Sequence, residues 1–491
     1  MRLHSLLRQY DPAYPLHNLT DVEILGVQED SRFVGPGDLF VARSGTKTNG
    51  AKFIEDARHH GAVAVVNAQS VPDSPLPQIV LNDPCAASIL ANIFHGRPSK
   101  ALRVLGVTGT NGKTTTAYLI RHLLNKVDQR CGMIGTVEID DGAEVAKATM
   151  TTPGATETAS LIARMRRQGC RACAVEVSSH ALHQGRAAGI YFAGAGFTNL
   201  TGDHLDYHGS MEEYASAKAS LFAALDVDAV AAVNCDDPWA DRMIQDCPAR
   251  LVRFSASNNR KADYRASDIV VSAQGTRFVL HTPDAKGEIS MNLIGRHNIE
   301  NALCAAALVG EVFHHTVDQI AQGLRDAMGA PGRLQSVRCG QSFAVLVDYA
   351  HTDDALQNVL TALRPLTRGK LRVCFGCGGD RDRTKRPRMA HIAGELADCV
   401  YITSDNPRSE EPKLILNEIL AGLKSREKLA LVESDRRTAI GQALADAEPE
   451  DVVLIAGKGH EDYQIIGTTK HHFDDVEECE RALRSLVSSV A

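Results

Sequence analysis

Gly106-Val107-Thr108-Gly109-Thr110-Asn111-Gly112-Lys113-Thr114-Thr115 is the stretch that decides the fold. It follows the apolar run Arg103-Val104-Leu105 and opens a helical pattern at about Lys113. A strand that turns through glycines into a helix makes a phosphate cradle. The glycines let backbone N–H groups approach an anion, and the helix start adds a positive dipole. Lys113 brings charge to the terminal phosphates, and Thr114 offers a hydroxyl to Mg²⁺. Strict P-loop spacing puts glycine at position 107, where this chain has Val107, so the loop is a variant form.

Outward from the loop, short apolar strands alternate with helical segments, the mark of an α/β protein with largely parallel sheets. Upstream, 38–42 and 62–66 read as strands around a helical 53–60, and a polar break falls at 96–100. Downstream come strands at 174–177 and 230–233, a β-rich stretch at 268–282 and a helix at 297–313. A Gly/Pro break follows at 329–333. Strands at 344–347, 371–375, 399–403, 429–432 and 452–456 then alternate with helices, as in a doubly wound sheet. The 491 residues therefore divide into three domains. These are a small N-terminal α/β domain (1–99), a central P-loop ATPase domain with a parallel sheet (100–333) and a C-terminal Rossmann-like domain (334–491).

Composition narrows the class further. Hydrophobic residues make up 44% and charged residues 23%, and no segment nears the ~18 consecutive apolar residues of a membrane span. Arg8 and Asp11 interrupt the N-terminus before a signal-peptide core can form, which predicts a cytoplasmic protein. The net charge of −7 argues against nucleic-acid or membrane partners. The pairs Cys170/Cys173 and Cys374/Cys377 lie about 200 residues apart, against the roughly 15–20 of a zinc ribbon, and each borders an apolar strand. The 12 cysteines are expected to be reduced, with these two pairs in or near the core.

Three further sets of residues carry chemistry. Glu176 ends an apolar run, and 198–208 (Thr-Asn-Leu-Thr-Gly-Asp-His-Leu-Asp-Tyr-His) follows another. Carboxylates at the C-terminal ends of strands beside a P-loop are where Mg²⁺ ligands belong. Residues 376–388 hold five Arg/Lys within eight positions. That could be a nucleic-acid patch or a solvated face, but the interleaved Asp380 and Asp382 and the glycine-rich entry favour an enclosed anion site. Asp405-Asn406-Pro407-Arg408 offers a rigid turn with an arginine fork suited to a carboxylate.

Taken in order, 109–115, 176–180, 199–208, His297-Asn298-Ile299-Glu300-Asn301, Gly332-Arg333, Asp348-Tyr349-Ala350-His351 and Gly457-Lys458-Gly459-His460-Glu461 resemble the Mur ligases of peptidoglycan synthesis over essentially the whole chain. Within that family the chain looks most like members that join meso-diaminopimelate to UDP-N-acetylmuramoyl-L-alanyl-D-glutamate with ATP, since Asp405 to Arg408 has the form those members carry. The resemblance implies a monomer with one ligand in each domain. Glu29, Ser31 and the loop Thr46, Lys47, Thr48, Asn49, Gly50 would meet the UDP-sugar. Thr151, Thr152, Ser178, Gln184 and Arg186 would hold the muramoyl dipeptide. Gly109, Thr110, Asn111, Gly112, Lys113, Thr114, Thr115, Asn301, Arg333 and Asp348 would bind ATP. Thr114, Glu176, His204 and Lys218 would hold Mg²⁺, and Arg381, Asp405, Asn406, Pro407, Arg408, Gly457 and Glu461 would read diaminopimelate.

Lys113, Glu176, His204 and Lys218 are the implied catalytic set. Lys218 matches the family lysine that is carboxylated by CO₂; by its own pattern it reads as an exposed helix residue. Two positions depart from the family. Asp353 replaces a proline, which predicts a looser turn after His351, and Met150 stands where a relative has a polar side chain. The rival readings are a lysine-adding Mur ligase, a folylpolyglutamate synthetase or a P-loop regulatory NTPase that performs no ligation. The turn at 405–408 argues against the first, and the full N-terminal domain against the second.

Overall fold

The computed structural model describes residues 1–43, 48–424 and 430–490. It divides into two compact units. One comprises Met1–Ser267, Leu280–Gly287 and Glu300–Gly323, and the other comprises Asp268–Val279, Glu288–Ile299 and Leu324–Ala491.

The first unit contains two sheets. Strands Gly26–Gln28, Asp38–Ala42, Ala64–Asn67 and Gln78–Val80 pair in that order, all parallel. Side chains alternate across this sheet. Leu39 and Val41 point to a core closed by Leu3, Leu7 and Leu90, while Phe40 and Val65 meet Ile54 and Ala57 on the other face. The second sheet has eleven strands, and eight of them run in the order Arg250–Ser255, Val230–Asn234, Phe192–Phe197, Arg103–Thr108, Ala172–Glu176, Cys131–Ile134, Glu138–Asp140, Val145–Lys147. Of these eight, the first six are parallel and the last two antiparallel. The central strand Arg103–Thr108 is buried along nearly its whole length, as a strand covered on both faces must be. The helix Met211–Ala223 begins with a capping-box sequence, Ser210 to Glu213, in which Ser210 Oγ accepts from Glu213 N at 3.2 Å.

The second unit is built on strands Gln335–Ser336, Ala344–Asp348, Val452–Ala456, Leu371–Phe375, Cys399–Ile402 and Ala430–Val432, in that spatial order. Only the first pairing is antiparallel. The last strand in sequence, Val452–Ala456, lies between the second and third. The loops after Asp348, Phe375, Ile402 and Ala456 therefore emerge together at the carboxyl edge around the point where strand order switches, the place where such sheets bind ligands. The fully buried Arg436 donates to both oxygens of the equally buried Asp475, each at 2.7 Å, and to Ala456 O at 3.0 Å. That pair ties the helices Arg436–Ala445 and Asp475–Val490 under the sheet.

The twelve cysteines are free thiols, and Cys170, Cys173, Cys374 and Cys377 are all buried. Asp353 does not loosen its turn. It opens the helix Asp353–Leu363, where Thr352 Oγ1 caps Ala355 N at 3.2 Å and Arg388 Nε lies 3.0 Å from Asp353 Oδ2. An acidic residue in a first helical turn is favoured by the dipole, so it replaces proline without unravelling the start. Among the described residues no helix is long and apolar enough to cross a membrane.

Candidate active site

In the first unit the strand Arg103–Thr108 feeds the glycine loop, and the helix Lys113–Asn125 leaves it. Gly109 and Gly112 take φ values of 152° and 87°. A side chain on Gly109 would strike Thr198 Oγ1, and one on Gly112 would strike Asn301 Oδ1. The loop is thus clamped from outside. Thr198 Oγ1 donates to Asn111 O at 2.6 Å, Asn199 Oδ1 accepts from Asn111 N at 2.9 Å, and Asn199 O accepts from Thr110 N at 2.8 Å. Lys113 Nζ curls back to donate to Gly109 O and Thr110 O, both at 2.9 Å. Thr115 is buried behind it.

Glu176 ends its strand wholly buried. Its Oε2 accepts from Thr114 Oγ1 at 2.8 Å and Thr136 Oγ1 at 3.0 Å, and its Oε1 accepts from Thr136 N at 2.7 Å. Burial pushes this carboxyl's pKa up, against the opposing pull of the Thr136 amide and the Lys113 charge. Thr114 Oγ1 and Glu176 Oε2 are two hard oxygen donors converging at the helix start, a set that fits a hard divalent cation. Among the described residues no group of three or more His, Cys, Asp or Glu is arranged as a metal site, so the fit rests on this mixed oxygen pair.

Lys218 is not the exposed residue its sequence pattern suggests. Only 1% of it is accessible; its Nζ donates to Gly109 O at 2.8 Å and stands 4.5 Å from the Tyr214 ring centroid. Burial, and next the nearby Lys113 charge, hold its pKa well below that of an ordinary lysine. His204, in a left-handed conformation at φ 53°, is half exposed beside Asp203 and forms an edge contact with His180 at 4.9 Å. Its ring is 6.4 Å from that of Tyr214, whose hydroxyl is 3.3 Å from Thr110 Oγ1. Thr114 and Glu176 thus touch directly, whereas Lys218 and His204 approach through Gly109 and Tyr214.

The expected dipeptide residues form a network leading away from Glu176. Thr152 Oγ1 donates to Glu176 O at 2.7 Å and accepts from Ser178 N at 3.1 Å, and the Thr151 and Thr136 hydroxyl oxygens lie 3.1 Å apart. Arg186 donates to Thr152 O and to Gln184 Oε1, each at 2.9 Å, and lies 3.9 Å from the sulfur of Met150. Glu29 accepts from Arg43 at 2.7 Å and from Thr156 N at 3.3 Å, and Arg43 also donates to Gln184 O. Ser31 is buried, and its carbonyl meets His60 Nδ1 at 2.9 Å. Asn49 caps Ala51 N at 3.0 Å, and Gly50 N donates to Arg43 O at 2.8 Å. Thr48 begins this described stretch, whereas Thr46 and Lys47 lie outside the described residues.

A cavity of about 580 Å³ lined by Lys100, Arg103, Tyr191, Arg250 and Glu311 opens at the amino ends of the same strands. Ligands of parallel sheets sit at the carboxyl ends, where the glycine loop is, so this cavity is not the site.

In the second unit, Arg408 is a non-glycine residue at φ 51°. Its backbone is pinned by Arg408 N to Ile465 O at 3.0 Å and Gly467 N to Arg408 O at 2.8 Å. Its guanidinium donates to Gly379 O at 2.8 Å, in the loop that carries the exposed Arg381. That loop is braced by the buried Arg386, which donates to both oxygens of Glu410 and to Gly378 O. Asp405, Asn406 and Pro407 are buried. Asn406 Nδ2 donates to Glu461 Oε2 at 3.0 Å, and a Cβ on Gly457 would stand 3.4 Å from Asp405 Oδ2. Asp348 is nearly buried, its carboxyl accepting from Leu334 N and Ala350 N at 2.7 and 2.9 Å. Desolvation raises its pKa against these amides and the charge of Arg333, whose guanidinium carbon lies 5.3 Å from the Tyr349 ring centroid.

Against known proteins, the Mur ligase middle domain matches residues 107–309, the Mur ligase glutamate ligase domain 332–459 and the Mur ligase family catalytic domain 23–83. The UDP-N-acetylmuramoyl-L-alanyl-D-glutamate:2,6-diaminopimelate ligase of Parasynechococcus marenigrum is 46% identical, over 98% of this chain and 99% of the relative. The same-named ligase of Synechococcus elongatus is 44% identical over 98% and 99%. A solved ligase of that name superposes with a TM-score of 0.73 at 34% identity, covering 94% of this chain and 95% of its own. The chain belongs to the Mur ligase family and has its three-domain architecture.

Sequence reasoning missed Thr136, Arg43 and Lys458. Thr136 lies in an unremarkable loop and gave no signal. Arg43 immediately precedes the loop at 44–50, and Lys458 sits inside a motif already singled out.

Proposed function

We propose that this chain is an ATP-dependent ligase that joins meso-diaminopimelate to UDP-N-acetylmuramoyl-L-alanyl-D-glutamate, with its relatives' names and the site chemistry in support. The observation that carries the reading is the turn Asp405 to Arg408, which sets an arginine fork beside the Arg381 loop at a sheet's carboxyl edge, with Glu461 bonded to Asn406. A carboxylate is a poor acyl donor, so the reaction has two steps. The D-glutamyl carboxylate attacks the γ-phosphorus of ATP, ADP leaves, and an acyl phosphate forms. An amine of diaminopimelate then attacks that carbonyl, and phosphate leaves as the amide is made.

The chain's work is alignment and charge neutralisation. The loop amides of 109–112 cradle the phosphates, and Lys113 exchanges its loop carbonyls for the phosphoryl oxygens. Thr114 and Glu176, joined by His204 and a carboxylated Lys218, are the residues that would hold Mg²⁺. That ion offsets the charge of the transferring phosphoryl group. Carboxylation needs a neutral amine, which adds to CO₂ and loses a proton; the buried, pKa-depressed Lys218 suits that chemistry. Asn301, Arg333 and Asp348 serve the nucleotide. Glu29, Ser31 and 46–50 serve the UDP-sugar, and Thr151, Thr152, Ser178, Gln184 and Arg186 serve the dipeptide. Arg381 and Arg408 take carboxylates of diaminopimelate, while Asp405, Asn406, Gly457 and Glu461 shape its ammonium site. The domain limits 1–99, 100–333 and 334–491 follow these roles, and the use of ATP and a UDP-linked substrate supports a cytoplasmic location.

The test is phosphate release from ATP. Release is expected to require the dipeptide precursor and to respond to meso-diaminopimelate far more than to L-lysine. Release indifferent to the amino acid would sink the assignment.

A further inference from the structure

Lys458 is wholly inaccessible to solvent, yet its ammonium faces three oxygens of the amino-acid site. Its Nζ lies 3.5 Å from Asp405 Oδ1, 3.5 Å from Glu461 Oε2 and 3.4 Å from Asn406 Oδ1. The Tyr463 ring centroid is 5.5 Å away. Asp405 Oδ1 is itself buried and accepts no hydrogen bond among the described residues, so this ion pair is what compensates it. The lysine also sets an amide orientation. Asn406 Oδ1 faces Lys458 and accepts from Ile465 N at 2.9 Å, which turns Nδ2 toward Glu461 Oε2 at 3.0 Å. Glu461 is therefore held through one oxygen only, by Asn406 and Lys458 together, while its Oε1 takes no hydrogen bond from the described residues.

We propose that Lys458 is a positioning residue for amino-acid selection: its buried ammonium fixes Asp405, Asn406 and Glu461 in the one arrangement that leaves Glu461 Oε1 for the distal ammonium of the incoming diamino acid. This rests on the reading that 405–408 and 457–461 bind diaminopimelate. Two carboxylates that share one ammonium repel each other once that cation is removed. With Lys458 in place, two carboxylates and one ammonium leave a single net negative charge, which matches one ligand ammonium. Because Lys458 is sealed from solvent, it acts through these side chains and does not touch the ligand.

The test uses the full chain with Lys458→Met, which keeps the stem and removes the charge. KM for meso-diaminopimelate is expected to rise by roughly one to two orders of magnitude, the usual consequence of unpairing buried charges. KM for ATP and for the dipeptide precursor should stay within about twofold. Equal changes in all three KM values, or a fall in kcat alone, would overturn the proposal, because a merely structural lysine does not distinguish substrates. If Lys458→Met does not fold, the double variant Lys458→Met/Asp405→Asn removes the buried charge left without its cation. It should recover folding but keep the raised KM for diaminopimelate; failure to recover folding, or a normal KM, refutes the charge-balancing role. Wild-type enzyme that ignores diaminopimelate would instead refute the underlying functional reading.

Discussion

Replacing Arg408 by alanine tests the amino-acid site most directly. The guanidinium is an arginine fork whose backbone is fixed on both sides by the segment 465–467. Two charge-assisted hydrogen bonds to a carboxylate are each worth about 1.5–3 kcal/mol. The fork already donates to Gly379 O at 2.8 Å, and exchanging that bond for the ligand reduces the net gain to about 2–3 kcal/mol. Arg408→Ala should therefore lower kcat/KM for diaminopimelate by roughly 30- to 150-fold. The loss should appear in KM, because the contacted carboxylate does not react. Alanine carries the same Cβ as arginine at φ 51°, so backbone strain is unchanged and thermal stability should move little. Initial rates of phosphate release, with each substrate varied in turn, give the three KM values. Comparable rises in the KM of ATP and of diaminopimelate would refute the reasoning, as would a large drop in Tm.

Three other outcomes are expected. Glu410 is held down to a pKa of about 2, first by its hydrogen bonds to Arg386 and then by the Asp380 amide, so its stabilisation is present above the ordinary glutamate pKa and is lost as pH falls through about 2. Glu410→Gln should accordingly lower Tm at pH 7, with the gap to wild type narrowing from about pH 4.5 downward; a gap constant with pH contradicts the ion pair's role. Asp475→Ala strands the buried Arg436 and should cost about 3–5 kcal/mol, a Tm drop of roughly 10 °C by scanning calorimetry, and a drop under about 2 °C would show that Arg436 finds other partners. Asp353→Pro gains a rigid helix start and loses an exposed ion pair, so Tm should stay within about 3 °C of wild type; a larger loss would mean that the Arg388 contact carries the turn.

Legibility followed the range of the interactions. The phosphate loop and the parallel strands were readable because glycines, Gly-Lys-Thr and apolar runs are local signals. The turn at 405–408 was readable for the same reason. Glu176 was found from its place at a strand end, but its partner Thr136, 40 residues earlier, was not, since a threonine in a loop gives no periodic signal. Lys218 shows the limit of pattern reading. Its helix begins with an obvious cap, yet nothing in the local spacing reveals that its ammonium reaches Gly109, 109 residues away in sequence. Asp353 was misjudged by comparison with proline alone, because the Arg388 partner and the favourable helix start are tertiary facts.

Gly109 O accepts hydrogen bonds from two ammonium groups, Lys113 at 2.9 Å and Lys218 at 2.8 Å. A single carbonyl thus acts as a junction of two lysine side chains, and the Lys113 charge adds to the cost of protonating Lys218. Turning Lys218 into an anion would reverse the sign at that junction, trading repulsion for attraction along the same short path and withdrawing one of the two donors from the carbonyl. The phosphate loop is in this sense wired to the chemical state of a helix residue more than a hundred positions away, and the carboxylation proposed for Lys218 would change how firmly Lys113 is held before nucleotide arrives.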